Sequence, residues 1–201
     1  MTDLFALLDE PRRPWLEPGA LKQKFLALSA TTHPDKVPSP APGGSAGAAM
    51  SFAELNAAYQ RLAEPKSRLL HLLELERGAK PRDIQEIPAA LADLFAEVSA
   101  ACRGADGFLA EKSRTTSPLL QVRLFARGQE WMDQLNALQQ KLNDLHGQLM
   151  DRLKVLDAQW LGANLESRSD VLAKIEELYR LFGYFNRWHQ QLQERIVPLA
   201  F

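Results

Sequence analysis

Between Leu119 and Val197 the chain contains no proline, and through most of that stretch apolar residues recur at every third or fourth position. Trp131, Leu135, Leu138, Leu142, Leu145, Leu149, Leu153, Leu156 and Trp160 form one such stripe, and Val171, Ile175, Leu178, Phe182, Phe185, His189, Leu192 and Ile196 form another. A spacing of 3 and 4 is the signature of a helix with one buried face. Composition agrees: 34 Leu and 27 Ala stand against 15 Val, Ile and Thr together, so helix formers far outnumber strand formers. The chain is expected to be all-α.

Proline divides it. Seven of the twelve prolines precede residue 43, which predicts short helices broken by turns over about 1–76 and long helices from about residue 80 onward. In the first region, a short helix is expected from Asp3 to Leu8. A second starts at Glu17-Pro18, with proline at the first helical position, and carries the stripe Leu21, Phe25, Leu28 up to Thr32. His33-Pro34-Asp35 then sits on a turn, because proline disfavours the helical conformation of the residue before it. Val37 to Ser45 is a Pro/Gly loop. A third helix, from Ser45 to Glu64 with Phe52, Leu55, Tyr59 and Leu62, should face the second. In the second region, Ile84, Ile87, Leu91, Leu94 and Val98 predict a helix over 83–102, starting nearer Ile87 because of Pro88. Gly104, Gly107 and Thr115 to Pro118 mark the next connection. Ser117-Pro118 opens a helix that, unbroken to Trp160, would be about 65 Å long at about 1.5 Å per residue. Three seams imply a three-helix bundle.

Charge and special residues exclude several functions. A formal net charge of -1 and one cysteine, Cys102, leave no basic field for nucleic acid and no thiol set for structural zinc. His33, His71, His146 and His189 fall one per element, so no metal cluster is expected. No nucleophile accompanies His33 and Asp35, so neither an enzyme nor a cofactor is expected. The N-terminus has no basic n-region and no apolar run approaches a membrane span; the expectation is a soluble cytoplasmic protein.

Several motifs carry a resemblance. Leu21-Lys-Gln-Lys-Phe25-Leu-Ala-Leu28, His33-Pro-Asp-Lys36, Leu55-Asn-Ala-Ala-Tyr59-Gln-Arg-Leu62 and Pro65 resemble a J-domain. Asp3-Leu-Phe5 and Pro65-Lys-Ser-Arg68-Leu-Leu-His-Leu-Leu73 are similar to the HscB family, the J-domain co-chaperones of iron-sulfur cluster assembly, with Leu69 where that family prefers alanine. The resemblance implies a J-domain over 1–76 and a C-terminal three-helix bundle over 80–201. It implies two partners: a DnaK/HscA-type chaperone, whose ATPase is stimulated through His33, Pro34 and Asp35 with Lys36, Lys22 and Lys24 nearby, and an IscU-type iron-sulfur scaffold. Lys22 and Lys24 are about 200° apart on a helix, and the basic patch usual before the tripeptide is missing, so electrostatic steering toward the chaperone should be weak. For the scaffold, the resemblance implies a patch of Ile87, Pro88, Leu91, Tyr184 and Phe185. Leu181, Tyr184 and Trp188, off the last seam, together with Phe95, read either as part of a recognition patch or as burial against the J-domain. The alternatives are a J-protein for another client, and a structural helical protein whose His-Pro-Asp turn is incidental.

Overall fold

Helix ends are written into the chain as capping residues. In the computed structural model, which describes residues 2–32, 51–82 and 87–200, these become seven α-helices: α1 Leu4–Leu7, α2 Pro18–Thr32, α3 Phe52–Ala63, α4 Pro65–Arg77, α5 Ala92–Arg114, α6 Pro118–Gly162 and α7 Leu165–Leu199. No strand occurs among the described residues, and the chain is all-α. The Asp3 carboxylate accepts from the Phe5 and Ala6 amides at 3.0 and 3.3 Å, capping α1. Ser51 and Glu54 form a reciprocal capping box on α3. Glu64 caps α4 by accepting from the Lys66 and Ser67 amides, with Pro65 in the first helical position. Gly78, at φ 71, ends α4 in the left-handed region open to glycine. Residues 33–50, including the Val37–Ser45 loop and the expected start of the third helix, lie outside the described residues, as does Ile84.

The second region departs from expectation at one connection. Gly104 and Gly107 do not end a helix; α5 runs through both to Arg114. Val98, Cys102, Ala105 and Phe108 are buried along it, so the apolar stripe continues past the glycines and tertiary packing overrides their low helix propensity. Gly104 has a steric reason to be glycine, because a Cβ there would overlap the Trp131 ring. Pro88 precedes the helix, as expected, and a 3-10 turn over Ala89–Leu91 leads into α5. α6 is a single helix of 45 residues through Gly128 and Gly147.

The chain forms two compact units that do not follow chain order. Unit 1 comprises residues 1–82 and 151–180, and unit 2 comprises 83–150 and 181–201. α6 and α7 thus contribute to both. The unit 1 core holds Phe5, Leu21, Leu55, Leu62, Leu69 and Leu72 with Leu153, Trp160, Ile175 and Leu178. That of unit 2 holds Val98, Phe108, Leu135, Leu142, Phe182, Trp188 and Leu192. Burial of this many large side chains, each worth about 1.5–3 kcal/mol, is the main favourable term in both.

Candidate functional site

The candidate chaperone-facing site is built on α2 and α3. Their stripes meet: Phe25 stacks on Tyr59 with ring centroids 4.4 Å apart and planes 15° apart, and Phe52 lies 6.4 Å from Phe25. Leu21, Leu55, Ala58 and Leu62 are buried beneath them. His33, Pro34, Asp35 and Lys36 fall between α2 and α3 in the chain and lie outside the described residues. Of the two lysines on α2, Lys24 turns back toward the α1–α2 connection. Its ammonium donates to the Asp9 carbonyl and stands 3.2 Å from Glu10 and 3.7 Å from Asp9. Lys22 is exposed and makes none of these contacts.

Three buried polar side chains fix the unit that carries the hairpin, and sequence reasoning gave none of them a role. Arg68, the arginine of the tail that follows α3, donates from Nε to the Pro14 carbonyl at 2.7 Å and from Nη1 to the Leu62 carbonyl at 2.5 Å. It ties the end of α3 to the chain leading into α2. Burial pulls its pKa down to about 10, and the guanidinium remains charged at neutral pH. His71 accepts the Leu4 amide at Nε2, 3.0 Å away, and stacks on Phe5. The accepting nitrogen assigns its proton to Nδ1, and burial, followed by the nearby Arg61 charge, lowers its pKa. Asp157, on α6, takes a two-pronged contact from Arg13, with Nε at 2.9 Å, and accepts the Trp15 amide at 3.1 Å. Beside it the Trp160 indole donates to the Arg12 carbonyl at 2.9 Å, and Arg168 lies 3.9 Å over the indole ring. Arg77 and Arg180 both engage Glu176. Burial raises the Glu176 pKa, but these two arginines outweigh it and hold the carboxyl below its usual value. The available signal was an acid or a base one step off a leucine stripe, as at Asp157 beside Leu156.

The candidate scaffold-facing residues lie in unit 2, where they divide into two groups. Leu91 is buried, Ile87 and Pro88 are half-buried, and Phe95, four residues beyond Leu91, is 40% exposed. The Phe95 ring centroid is 6.2 Å from that of Trp188, which is 5.7 Å from that of Tyr184. An aromatic row therefore joins α5 to α7. Phe185 points elsewhere: its ring meets His146 of α6 at 4.6 Å and His189 at 5.6 Å. Adjacent residues on a helix are about 100° apart, so Tyr184 and Phe185 cannot both face α5. Leu181 and Trp188, off the seam by spacing, are buried, while Phe95 is exposed and Tyr184 and Phe185 are half-buried. Cys102 is buried, which pushes its thiol pKa up. Among the described residues no group of three or more His, Cys, Asp or Glu is placed to hold a metal ion, and no helix is long and apolar enough to cross a membrane.

No protein-family profile and no curated protein matches the chain. The fold does have a counterpart: short helices tied at their ends, followed by three long ones, make an all-α arrangement known from a chaperone. One solved structure with this arrangement is chaperone HscB from Vibrio cholerae, similar over 95% of this chain and 99% of that one, at 20% identity and a TM-score of 0.51. The chain is HscB-like in fold.

Proposed function

We propose that this chain is a J-domain co-chaperone that stimulates ATP hydrolysis by a DnaK/HscA-type chaperone and brings an IscU-type iron-sulfur scaffold to it. It acts as an adaptor and not as an enzyme. Residues 1–76 serve the chaperone and residues 80–201 the client. The reading rests chiefly on the Phe25–Tyr59 stack, which pairs the two helices flanking His33-Pro34-Asp35; the HscB-like fold adds to it. Proline fixes its own φ and so limits the conformations available to the acid beside it. Asp35 would then offer its carboxylate to a partner arginine with little ordering entropy, in the two-pronged geometry that suits a guanidinium. His33 and Pro34 complete the tripeptide that the chaperone would engage. Lys36 and Lys22 supply the remaining positive charge, with Lys24 engaged at Asp9 and Glu10, so docking should depend little on salt. On the client side, the row of Phe95, Tyr184 and Trp188 would meet the scaffold together with Ile87, Pro88 and Leu91, while Phe185 faces His146 on the seam.

Single-turnover ATP hydrolysis by a DnaK-type chaperone tests the proposal. The chain should accelerate it, and Asp35→Ala should abolish the acceleration with helicity unchanged; equal rates for the two proteins refute the chaperone assignment. For the client, Tyr184→Ala should release an IscU-type protein that the parent chain captures. Capture at undiminished affinity overturns the patch.

A further inference from the structure

The first two turns of α6 are apolar on both sides. Leu124 and Gly128 face the core, yet Leu119, Val122 and Phe125 are 72, 71 and 70% exposed. Residues 119, 122 and 125 follow each other at intervals of three, so they form a ridge on the outer face of the helix, with Leu120, also exposed, beside it. Gln121 and Arg123 are the polar residues of these turns, and contiguous exposed apolar surface such as this ridge marks an interaction site. Next to the ridge, a cavity of about 380 Å3 has an apolar wall of Leu124, Phe125, Gly128 and Leu199 and a polar one of Lys112, Gln121 and Gln129. The ridge is a convex feature and the cavity a socket, a pairing that fits interdigitation with a partner's side chains.

Charge identifies the kind of partner. From Glu111 to Glu130 the chain carries Lys112, Arg114, Arg123 and Arg127 against only the two bounding acids, in a protein whose overall charge is -1. Arg127 is taken by Glu111 at 2.7 Å, and Lys112 donates to the Pro198 carbonyl at 3.3 Å. Arg114 and Arg123 are exposed and make no such contact. Docking of a second copy would set this basic rim against itself, which is unfavourable. A lipid surface offers no side chain shaped for the socket. We propose that the N-terminal end of α6, with the cavity beside it, is a docking site for an acidic amphipathic helix of a partner protein. Its apolar face would lie on Leu119, Val122 and Phe125 and fill the cavity with one side chain, and its Asp or Glu residues would meet Arg114 and Arg123. This surface is separate from Asp35 and from the Tyr184 row, and its test stands without them.

The test uses the full chain and a labelled synthetic helix of about 20 residues, long enough to fold alone, with leucines on one face flanked by glutamates. The control peptide has lysine at every glutamate position. By fluorescence anisotropy the glutamate peptide should bind at least about tenfold more tightly than the lysine peptide, and added salt should weaken it. Val122→Asp with Phe125→Asp should reduce its binding by about tenfold or more. Arg114→Glu with Arg123→Glu, which leaves the ridge intact, should reverse the preference between the peptides. Circular dichroism confirms that each variant is folded. Equal affinity for the two peptides, or unchanged binding in both variants, overturns the proposal. So does ridge-dependent binding to phosphatidylglycerol vesicles without peptide preference, or ridge-dependent dimerisation in sedimentation equilibrium.

Discussion

Unit 1 and unit 2 are both helical, yet they differ in what accompanies apolar burial. Besides stretches of α6 and α7, unit 1 contains helices of 4, 15, 12 and 13 residues, at or below the length at which an isolated helix is marginal, so the ends of these helices must be tied to something else. The ties are buried polar contacts: Arg68 to two carbonyls, His71 to the Leu4 amide, and Asp157 to Arg13 and Trp15. Unit 2 is built on α5 with parts of α6 and α7, whose buried residues recur over many turns, and each of its ion pairs has at least one exposed side chain. Lys141–Glu97 at 2.6 Å and Arg127–Glu111 at 2.7 Å both join exposed side chains. Apolar burial is the main favourable term in both units, and unit 1 adds to it a set of buried polar ties that fix how its short helices are placed.

Substitution can break this contrast. The largest effect is expected from Arg68→Met, which leaves the Pro14 and Leu62 carbonyls without their buried donor and should cost about 2–3 kcal/mol. Urea unfolding is the measurement. Tryptophan fluorescence can separate the units, because Trp15 and Trp160 lie in unit 1 while Trp131 and Trp188 lie in unit 2. An early transition confined to the first pair would sharpen the comparison, and an unshifted midpoint would break it. Next comes Gly104→Ala in unit 2. The new methyl would strike the Trp131 ring, which should cost about 1–2 kcal/mol and alter Trp131 emission.

A smaller, pH-dependent effect belongs to unit 1. His71 has a folded pKa below its ordinary value of 6.5, so on acidification the unfolded chain takes up this proton first. Stability is therefore full above about pH 6.5 and declines as pH falls from there toward the folded value. Asp3 and Glu176 act lower down. For Asp3, burial raises the pKa, but the bonds from Arg12 and from the Ala6 and Phe5 amides outweigh it, and both carboxyls end below 3.8 and 4.5 respectively. Their contribution is present above those values and lost as pH falls below them. His71→Gln, which keeps an acceptor for the Leu4 amide, should flatten the loss just below pH 6.5 and leave the more acidic one. An unchanged profile in denaturant titrations would remove His71 as the cause. Least of all should come from Lys141→Ala, at under about 0.5 kcal/mol, because its pair with Glu97 is exposed.

Punctuation and periodicity were legible in the sequence. Glu17-Pro18 and Ser117-Pro118 open α2 and α6 where expected, and the residues spaced to face each other, Phe25 and Tyr59, stack. Gly104 misled because it looks like a helix breaker; the reason for it is a ring 27 positions away, at Trp131. The polar ties were hidden for the same kind of reason, since Arg68 and Asp157 resemble any charged residue on a helix until their distant partners are known. Tyr184 and Phe185, which the resemblance names together, face different neighbours, Trp188 and His146, a divergence that follows from the roughly 100° step between adjacent helical residues. Leu181 and Trp188, off the seam by spacing, proved buried because two neighbouring helices cover more of α7 than one stripe.

The adaptor claim is tested most directly by measuring a DnaK-type chaperone's ATP hydrolysis in the presence of both this chain and an IscU-type scaffold. The account predicts that scaffold and parent chain together stimulate more than the sum of each alone, because a tethered client is held at high effective concentration. Tyr184→Ala should lose the excess and keep the stimulation due to the chain itself, while Asp35→Ala loses both. A simple sum with the parent chain, or the same excess with either variant, would contradict the claim.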